Sequence, residues 1–154
     1  MINSGLFSSD DSTWETPPAL FNKLNAQFGP FTLDPCATPE TAKCAKFYTR
    51  KENGLAQSWS GERVFINPPY GRDIIYWMRK CSQEYLKAEI ICALIPARTD
   101  TRWFQRYVLP FVSMILFVAG RVNFVGSTSG SPFPSLIVIY DKSQKEFDSG
   151  SFEQ

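Results

Sequence analysis

Two apolar segments separated by one amphipathic segment occupy the middle of the sequence, and they limit the folds open to the chain. Arg63–Ile66 is β-branched and aromatic, and it stops at Asn67, after which two prolines prevent further ladder pairing. Asp73 then precedes apolar residues at helical spacing. Glu89–Ile95 follows as a mostly apolar run that ends at Pro96. This order predicts a strand, a helix capped by Asp73 and a second strand, which together form a β-α-β unit.

The same alternation continues on both sides of this unit. A helix is predicted from Pro17, where proline is tolerated, to Phe28, and a short strand after it ends in Asp34 because Pro35 blocks its continuation. The other predicted elements are a short helix over 40–46, a strand stub over 47–49, a turn at Asn53-Gly54, a helix over 101–109, and strands over 113–118 and 136–140. Alternation of this kind predicts an α/β fold with a mostly parallel sheet flanked by helices.

The length of 154 residues, with 44% hydrophobic residues, suits one domain built around one core. Polar residues dominate both ends of the sequence. We therefore predict a flexible N-terminus over 1–13, a single domain over 14–142 and a frayed polar C-terminal tail over 143–154. The segment Gly126–Pro134, rich in glycine, serine and proline, is predicted to be a long flexible connection.

The composition excludes several kinds of chemistry. There is no histidine, which excludes Ser-His-Asp and Cys-His catalysis and any metal site that needs imidazole. The four cysteines have irregular spacings and predict neither a zinc site nor a redox pair, so we expect reduced thiols, no metal and a cytoplasmic protein. No apolar run approaches the length that spans a bilayer. Because the formal net charge is only +1, a nucleic acid would have to be bound by a local basic patch.

Two predicted strands end in polar side chains, Asp34 and Asn67. In open α/β sheets, ligands bind beyond the carboxyl ends of the strands, so we expect both side chains to face a ligand. The amino group on an aromatic base is a poor nucleophile because its lone pair is delocalised into the ring. Oxygen acceptors that hold its hydrogens would activate it, and the Asn67 side chain and the Pro68 carbonyl are suited to this. The ring of Tyr70 would stack on the base.

At this point the sequence resembles the S-adenosylmethionine-dependent amino-methyltransferases, and more closely the small phage and prophage DNA N6-adenine methyltransferases of the phage Dam family. The resemblance rests on motifs in order along nearly the whole chain. They are Trp14-Glu15-Thr16-Pro17, Leu33-Asp34-Pro35-Cys36-Ala37, Glu52-Asn53-Gly54-Leu55, Asn67-Pro68-Pro69-Tyr70-Gly71, Ile95-Pro96-Ala97-Arg98-Thr99-Asp100, Gly120-Arg121-Val122-Asn123-Phe124 and Pro132-Phe133-Pro134-Ser135.

The resemblance implies a reduced Rossmann-like methyltransferase fold with an antiparallel final strand, S-adenosylmethionine as cofactor and DNA as partner. It implies a monomer that works in the cytoplasm, the host cytoplasm if the chain is phage-encoded, without metal or membrane. The implied catalytic residues are Asn67, Pro68, Pro69 and Tyr70. The implied cofactor-binding residues are Trp14, Thr16 and Pro17 near the methionine carboxylate, Asp34, Pro35 and Cys36 in the first cofactor motif, and Glu52 or Asn53 near the cofactor adenine.

Basic residues cluster between 72 and 106, where seven basic and four acidic residues give a local excess of positive charge. The candidate DNA-binding residues are Arg72, Arg98, Arg102, Arg106 and Arg121. The expected function is transfer of a methyl group to N6 of a flipped adenine in DNA. Two alternatives stay open: an amino-methyltransferase that acts on an RNA base or a protein glutamine, and a non-catalytic nucleic-acid-binding module with the same fold.

Overall fold

The computed structural model describes residues 14–154, in which seven strands form one sheet in the order β2-β1-β3-β4-β6-β5-β7. The strands are β1 Leu33–Asp34, β2 Lys46–Phe47, β3 Arg63–Ile66, β4 Ile90–Pro96, β5 Met114–Val118, β6 Ser135–Tyr140 and β7 Asp148–Phe152. The helices are α1 Pro18–Phe28, α2 Ile74–Glu84 and α3 Arg102–Tyr107, with one 3-10 turn at Gly54–Ala56. The flexible N-terminus predicted over 1–13 lies outside the described residues.

The sheet is mixed but mostly parallel. Strands β2, β1, β3 and β4 run parallel to one another, and β7 runs parallel to β5. Strand β6 is antiparallel to both of its neighbours, β4 and β5. The predicted α/β fold with a mostly parallel sheet and one antiparallel strand is confirmed. The antiparallel strand is not the last one, however, because β7 follows it.

Proline, capping residues and burial explain where the elements near the site begin and end. Helix α1 starts next to Pro17 and ends at Gly29, whose N–H donates to the Asn25 carbonyl at 2.9 Å. Every residue of β4 is buried, as expected for a strand covered on both faces. Helix α3 is capped by Thr101, whose hydroxyl accepts a hydrogen bond from the Phe104 N–H at 3.4 Å.

The order of the strands creates a crevice between β1 and β3. From β1 the chain pairs with β2 on one side, whereas β3 and β4 lie on the other side. Connections that leave neighbouring strands in opposite directions open a space at the carboxyl ends of the strands. Asp34 ends β1 and Asn67 follows β3 directly, so both residues lie at this switch point.

Three local predictions are wrong. The polar tail over 143–154 contains β7, so the predicted domain end at 142 is too early; β7 is an edge strand with one buried apolar residue, Phe152, and it therefore lacks the apolar alternation that marks a strand. No helix forms over 40–46, because this segment turns around Asp34 and the Lys43 N–H donates to its carboxylate at 3.0 Å. Asp73 precedes α2 but makes no capping hydrogen bond through its side chain.

Candidate active site

A cavity of about 50 Å³ opens at the switch point between β1 and β3. Asp34 and Asn67 line it together with Trp14, Thr16, Lys43 and Phe65. The rule that parallel strands present their carboxyl ends at one edge of the sheet thus brings together two polar residues that are 33 positions apart in the sequence. Their roles in binding or catalysis stay predictions.

Asp34 is an acceptor held in a buried position. Its side chain is 4% exposed, and its two oxygen atoms accept hydrogen bonds from the N–H groups of Cys36 at 3.4 Å and Lys43 at 3.0 Å. Burial raises the pKa of the Asp34 carboxyl to about 6, although these two hydrogen bonds and the positive charge of Lys43 oppose the rise. The Lys43 ammonium also pairs with the Glu15 carboxylate at 3.6 Å. The cavity therefore has an acidic wall.

The two polar atoms of the Asn67 side chain differ in their hydrogen bonding. Its amide nitrogen donates to the Trp14 carbonyl and to the Thr16 hydroxyl, the latter at 3.0 Å. Its carbonyl oxygen, Oδ1, is buried and has no hydrogen-bond partner among the described residues. A buried acceptor without a partner costs free energy, so native structures keep few of them outside functional sites. Among the described residues, Oδ1 of Asn67 thus remains an acceptor without a donor at the first cavity.

Tyr70 lies under other aromatic rings. It is 5% exposed, and its hydroxyl donates to the Leu94 carbonyl at 3.2 Å. Its ring meets that of Phe133 at 5.3 Å between centroids and 73°, an edge-to-face contact, and that of Phe124 at 6.3 Å. Burial raises the pKa of Tyr70 well above its ordinary value, so the hydroxyl stays protonated. In this arrangement little of the Tyr70 ring is exposed.

A second cavity, of about 140 Å³, adjoins Tyr70 at the end of the Asn67-Pro68-Pro69-Tyr70 turn. It is lined by Tyr70, Gly71, Pro96, Arg98, Trp103 and Phe133. The guanidinium carbon of Arg98 lies 6.0 Å from the centroid of the Phe133 ring, within the range of a cation–π contact. The first residue of the turn, Asn67, thus lines the first cavity, and its last residue, Tyr70, lines the second.

A third, smaller cavity continues from Cys36 along the loop after β1. Its lining includes Pro35, Tyr48, Thr49 and Trp77, and Cys36 also belongs to the first cavity. Gly54 closes one side, and a Cβ atom there would lie 2.0 Å from the Pro35 carbonyl oxygen, so only glycine fits. Burial raises the pKa of the Cys36 thiol, which leaves it uncharged.

The sequence comparison identifies the family. The sequence model of the family described as "DNA N-6-adenine-methyltransferase (Dam)" matches residues 3–151. The chain belongs to this family. The resemblance drawn from its motifs is therefore confirmed, and with it the predicted class of enzyme, an adenine-N6 DNA methyltransferase.

Individual relatives agree with this assignment. The DNA N-6-adenine-methyltransferase of Haemophilus phage HP1 (strain HP1c1) is 26% identical over 147 residues, which cover 92% of this chain and 85% of the relative. The DNA N-6-adenine-methyltransferase of Escherichia phage T1 is 34% identical over 92 residues, 59% of this chain and 38% of the relative.

One solved structure has the same fold. It is a modification subunit of a predicted type I restriction enzyme from Vibrio vulnificus YJ016, with a TM-score of 0.54 and 12% sequence identity. The match covers 95% of this chain and 48% of that chain, so the present chain spans about half of it. At this identity the likeness concerns the fold alone.

The remaining predicted site residues differ in whether they line a cavity. Asn53 accepts a hydrogen bond from the Leu55 N–H at 3.3 Å and caps the 3-10 turn, while Glu52 is exposed and accepts a hydrogen bond from Thr49. Pro17 precedes α1, next to Thr16. All five candidate DNA-binding arginines, Arg72, Arg98, Arg102, Arg106 and Arg121, are exposed. Only Arg98 lines one of the three cavities described above.

Several residues that line the cavities were not predicted as site residues from the sequence, among them Lys43, Trp103 and Phe133. Phe133 stands between two prolines in the long connection, which is a signal for a ring held in place, but its contact with Tyr70 is visible only in the structure. Within residues 14–154, none of the helices has the length and apolar character needed to cross a membrane. In the same range no group of three acidic or cysteine side chains is arranged to hold a metal ion.

Proposed function

We propose that this protein transfers the methyl group of S-adenosylmethionine to N6 of an adenine in DNA, with Asn67 as the residue that orients the amine. The observation that carries the proposal is the buried, unpartnered Oδ1 of Asn67 at the tip of β3. This atom accepts one hydrogen of the amine, and the Pro68 carbonyl is proposed to accept the other. Holding both hydrogens favours a pyramidal nitrogen whose lone pair is available for reaction.

The first and third cavities, which share Cys36 in their linings, suit the cofactor. S-adenosylmethionine carries an ammonium group and ribose hydroxyls, which are donors, and the wall offers acceptors in Asp34 and Glu15. The hydroxyl of Thr16 can donate to a carboxylate, and Trp14 and Phe65 add apolar surface. When bound, the cofactor supplies an electrophilic methyl group on a sulfonium. Pro35 lines the third cavity, and we assign Pro17, Glu52 and Asn53 to the support and rim of this site rather than to its walls.

The second cavity suits the base. A base extruded from the duplex would enter between Tyr70 and Phe133, and stacking on Tyr70 is worth about 1–3 kcal/mol. Because Phe133 lies edge-on against Tyr70 at 5.3 Å, the Phe133 ring must move aside before a base can stack. Pro132 and Pro134 hold the backbone on both sides of Phe133, so we propose that its ring moves by rotation about the side-chain bonds. Pro68 and Pro69 have fixed φ angles, and they therefore hold the turn that joins Asn67 to Tyr70.

DNA is proposed to approach from the side of the exposed arginines. Arg98 stands at the mouth of the second cavity, and Arg72 follows Gly71, which lines it. Arg102 and Arg106 lie on α3 beside Trp103. Arg121 donates to the Ser131 carbonyl at 3.4 Å and so contacts the same long connection as Phe133. These positive charges would bind phosphates around an extruded base.

We also propose a monomer in the cytoplasm, the host cytoplasm if the chain is phage-encoded. All four cysteines are free thiols, as is usual in a reducing compartment.

A methyl-transfer assay with competing acceptors tests the substrate class. Purified protein is incubated with S-adenosylmethionine labelled in the methyl group and with equal masses of DNA, RNA and a mixed protein substrate. We expect the label in DNA. Label in RNA or in protein glutamine would support the alternative amino-methyltransferases, and DNA binding without any transfer would support a non-catalytic module.

A further inference from the structure

We infer that Thr16 is a positioning residue, which together with the Trp14 carbonyl fixes the orientation of the Asn67 amide. This inference rests on the proposed function, in which Oδ1 of Asn67 accepts a hydrogen from the adenine amine. It gives Thr16 a task in the reaction that is separate from contact with the cofactor.

The orientation of the Asn67 amide follows from the chemistry of its partners. The Trp14 carbonyl can only accept hydrogen bonds, so the amide nitrogen and not the oxygen must face it. The second hydrogen of the same nitrogen goes to the Thr16 hydroxyl at 3.0 Å. Both hydrogens of the nitrogen are then used, and Oδ1 points away from this pair of acceptors. We call Thr16 Oγ1 and the Trp14 carbonyl oxygen the acceptor pair.

The acceptor pair is itself held firmly. Thr16 is 2% exposed and stands directly before Pro17, at the start of α1. The ring of Trp14 lies 5.5 Å from those of both Phe124 and Phe133. Between them, the Glu15 carbonyl accepts a hydrogen bond from the Val125 N–H at 3.0 Å. The segment that carries the acceptor pair is therefore anchored to two other parts of the chain.

Loss of the Thr16 hydroxyl should leave the Asn67 side chain in place but remove one of the two hydrogen bonds that orient its amide. Valine has nearly the same shape as threonine but no acceptor, so one hydrogen of the Asn67 nitrogen would lose its partner and the amide could turn. A single hydrogen bond of this kind contributes about 0.5–1.5 kcal/mol, which corresponds to a fall in kcat of about two- to tenfold. Serine keeps the hydroxyl, so Thr16→Ser should retain a kcat close to that of the wild type.

The test combines kinetics with binding. kcat and KM for S-adenosylmethionine are measured for the wild type, Thr16→Val and Thr16→Ser, and the Kd for S-adenosylmethionine is measured by calorimetry. We expect Thr16→Val to lower kcat at saturating S-adenosylmethionine, to raise the Kd by no more than the roughly two- to tenfold that one lost hydrogen bond to the carboxylate allows, and to be rescued by Thr16→Ser. An unchanged kcat with a weakened Kd would overturn the inference, because Thr16 would then act only as a cofactor ligand. Thr16→Ala replaces the valine variant if circular dichroism shows that the latter does not fold.

A double-mutant cycle with Asn67 shows whether Thr16 acts through that residue. In single-turnover assays with Asn67→Ser, which keeps an oxygen acceptor and a residual rate but has no amide, adding Thr16→Val should cause no further fall in rate, because the amide that Thr16 orients is already absent. A further fall of the same size as in the wild type would contradict the inference. Failure of the proposed function is recognised separately, since the wild type would then transfer no methyl group to adenine.

Discussion

Replacing Asp34 by asparagine should remove a pH dependence of stability that comes from this one carboxyl. In the folded protein, burial raises the pKa of Asp34 from 3.8 to about 6. Because the folded-state pKa lies above the unfolded-state value, the contribution of this group to stability is fully present below pH 3.8 and is lost as the pH rises through about 6. The carboxylate at neutral pH is thus kept at a cost in stability, as is common at functional sites.

The size of the effect follows from the two pKa values. The rise from 3.8 to about 6 is equivalent to about 3 kcal/mol over the whole titration. Between pH 5 and pH 8, a range in which most proteins of this size stay folded, it amounts to about 1.4 kcal/mol. The free energy of unfolding of the wild type should therefore fall by about 1.4 kcal/mol relative to that of Asp34→Asn over this range.

Urea unfolding at pH 5, 6, 7 and 8 measures this difference. The other carboxyl groups are common to both proteins, so their contributions cancel when the two are subtracted at each pH. The hydrogen bonds that asparagine cannot make to both the Cys36 and the Lys43 N–H groups shift the difference by a constant and leave its slope unchanged. A difference that does not vary with pH, or that varies with the opposite sign, would show that the Asp34 carboxyl is not destabilised by burial.

Three further predictions concern other parts of the molecule. Phe133→Ala should uncover the Tyr70 ring and increase the nitration of Tyr70, measured on its peptide by mass spectrometry; an equally protected Tyr70 would show that another group covers it. Arg98→Ala with Arg102→Ala should reduce the slope of log Kd for DNA against log salt concentration by about 2, whereas the exposed Lys145→Ala, outside the three cavities, should not; equal slopes would remove the two arginines from the interface. Burial opposes ionisation of Glu84, but hydrogen bonds from Lys80 at 2.9 Å and the Trp59 N–H at 3.1 Å together lower its pKa. The contribution of the ionised Glu84 to stability is therefore present above pH 4.5 and lost as the pH falls below it. Glu84→Gln should therefore lower the free energy of unfolding by about 1–3 kcal/mol at pH 7 and by less at pH 4, and a loss that is the same at both pH values would contradict this.

The sequence predicts the central strands well because their signals are local. Strand β3 ends at Asn67 because two prolines follow, and the strand of 90–96 is apolar throughout, so neither depends on distant partners. The adjacency of Asp34 and Asn67 follows from the geometry of parallel strands alone. Strand β7 escapes prediction because an edge strand with mostly exposed residues needs only main-chain pairing with β5, and that pairing leaves little trace in the side chains.

The fine structure of the site depends on contacts between distant parts of the chain. The partners of the Asn67 amide, Trp14 and Thr16, precede it by 53 and 51 residues, and no local pattern links them. The cover over Tyr70 comes from Phe133, in a connection whose composition predicts a loop but not its position. The proposed site residues can therefore be named from the sequence motif, whereas the residues that hold and cover them cannot.

Nucleoside analysis of methylated DNA tests the role of Asn67 most directly, because it measures the product of the reaction itself. Unmethylated DNA is incubated with S-adenosylmethionine and either the wild type or Asn67→Ala, digested to nucleosides and analysed by mass spectrometry, after calorimetry has shown that both proteins bind the cofactor within a few-fold. The proposed mechanism predicts N6-methyladenine with the wild type and none with Asn67→Ala. Equal amounts of N6-methyladenine from the two proteins, or methylation of another base by the wild type, would contradict it.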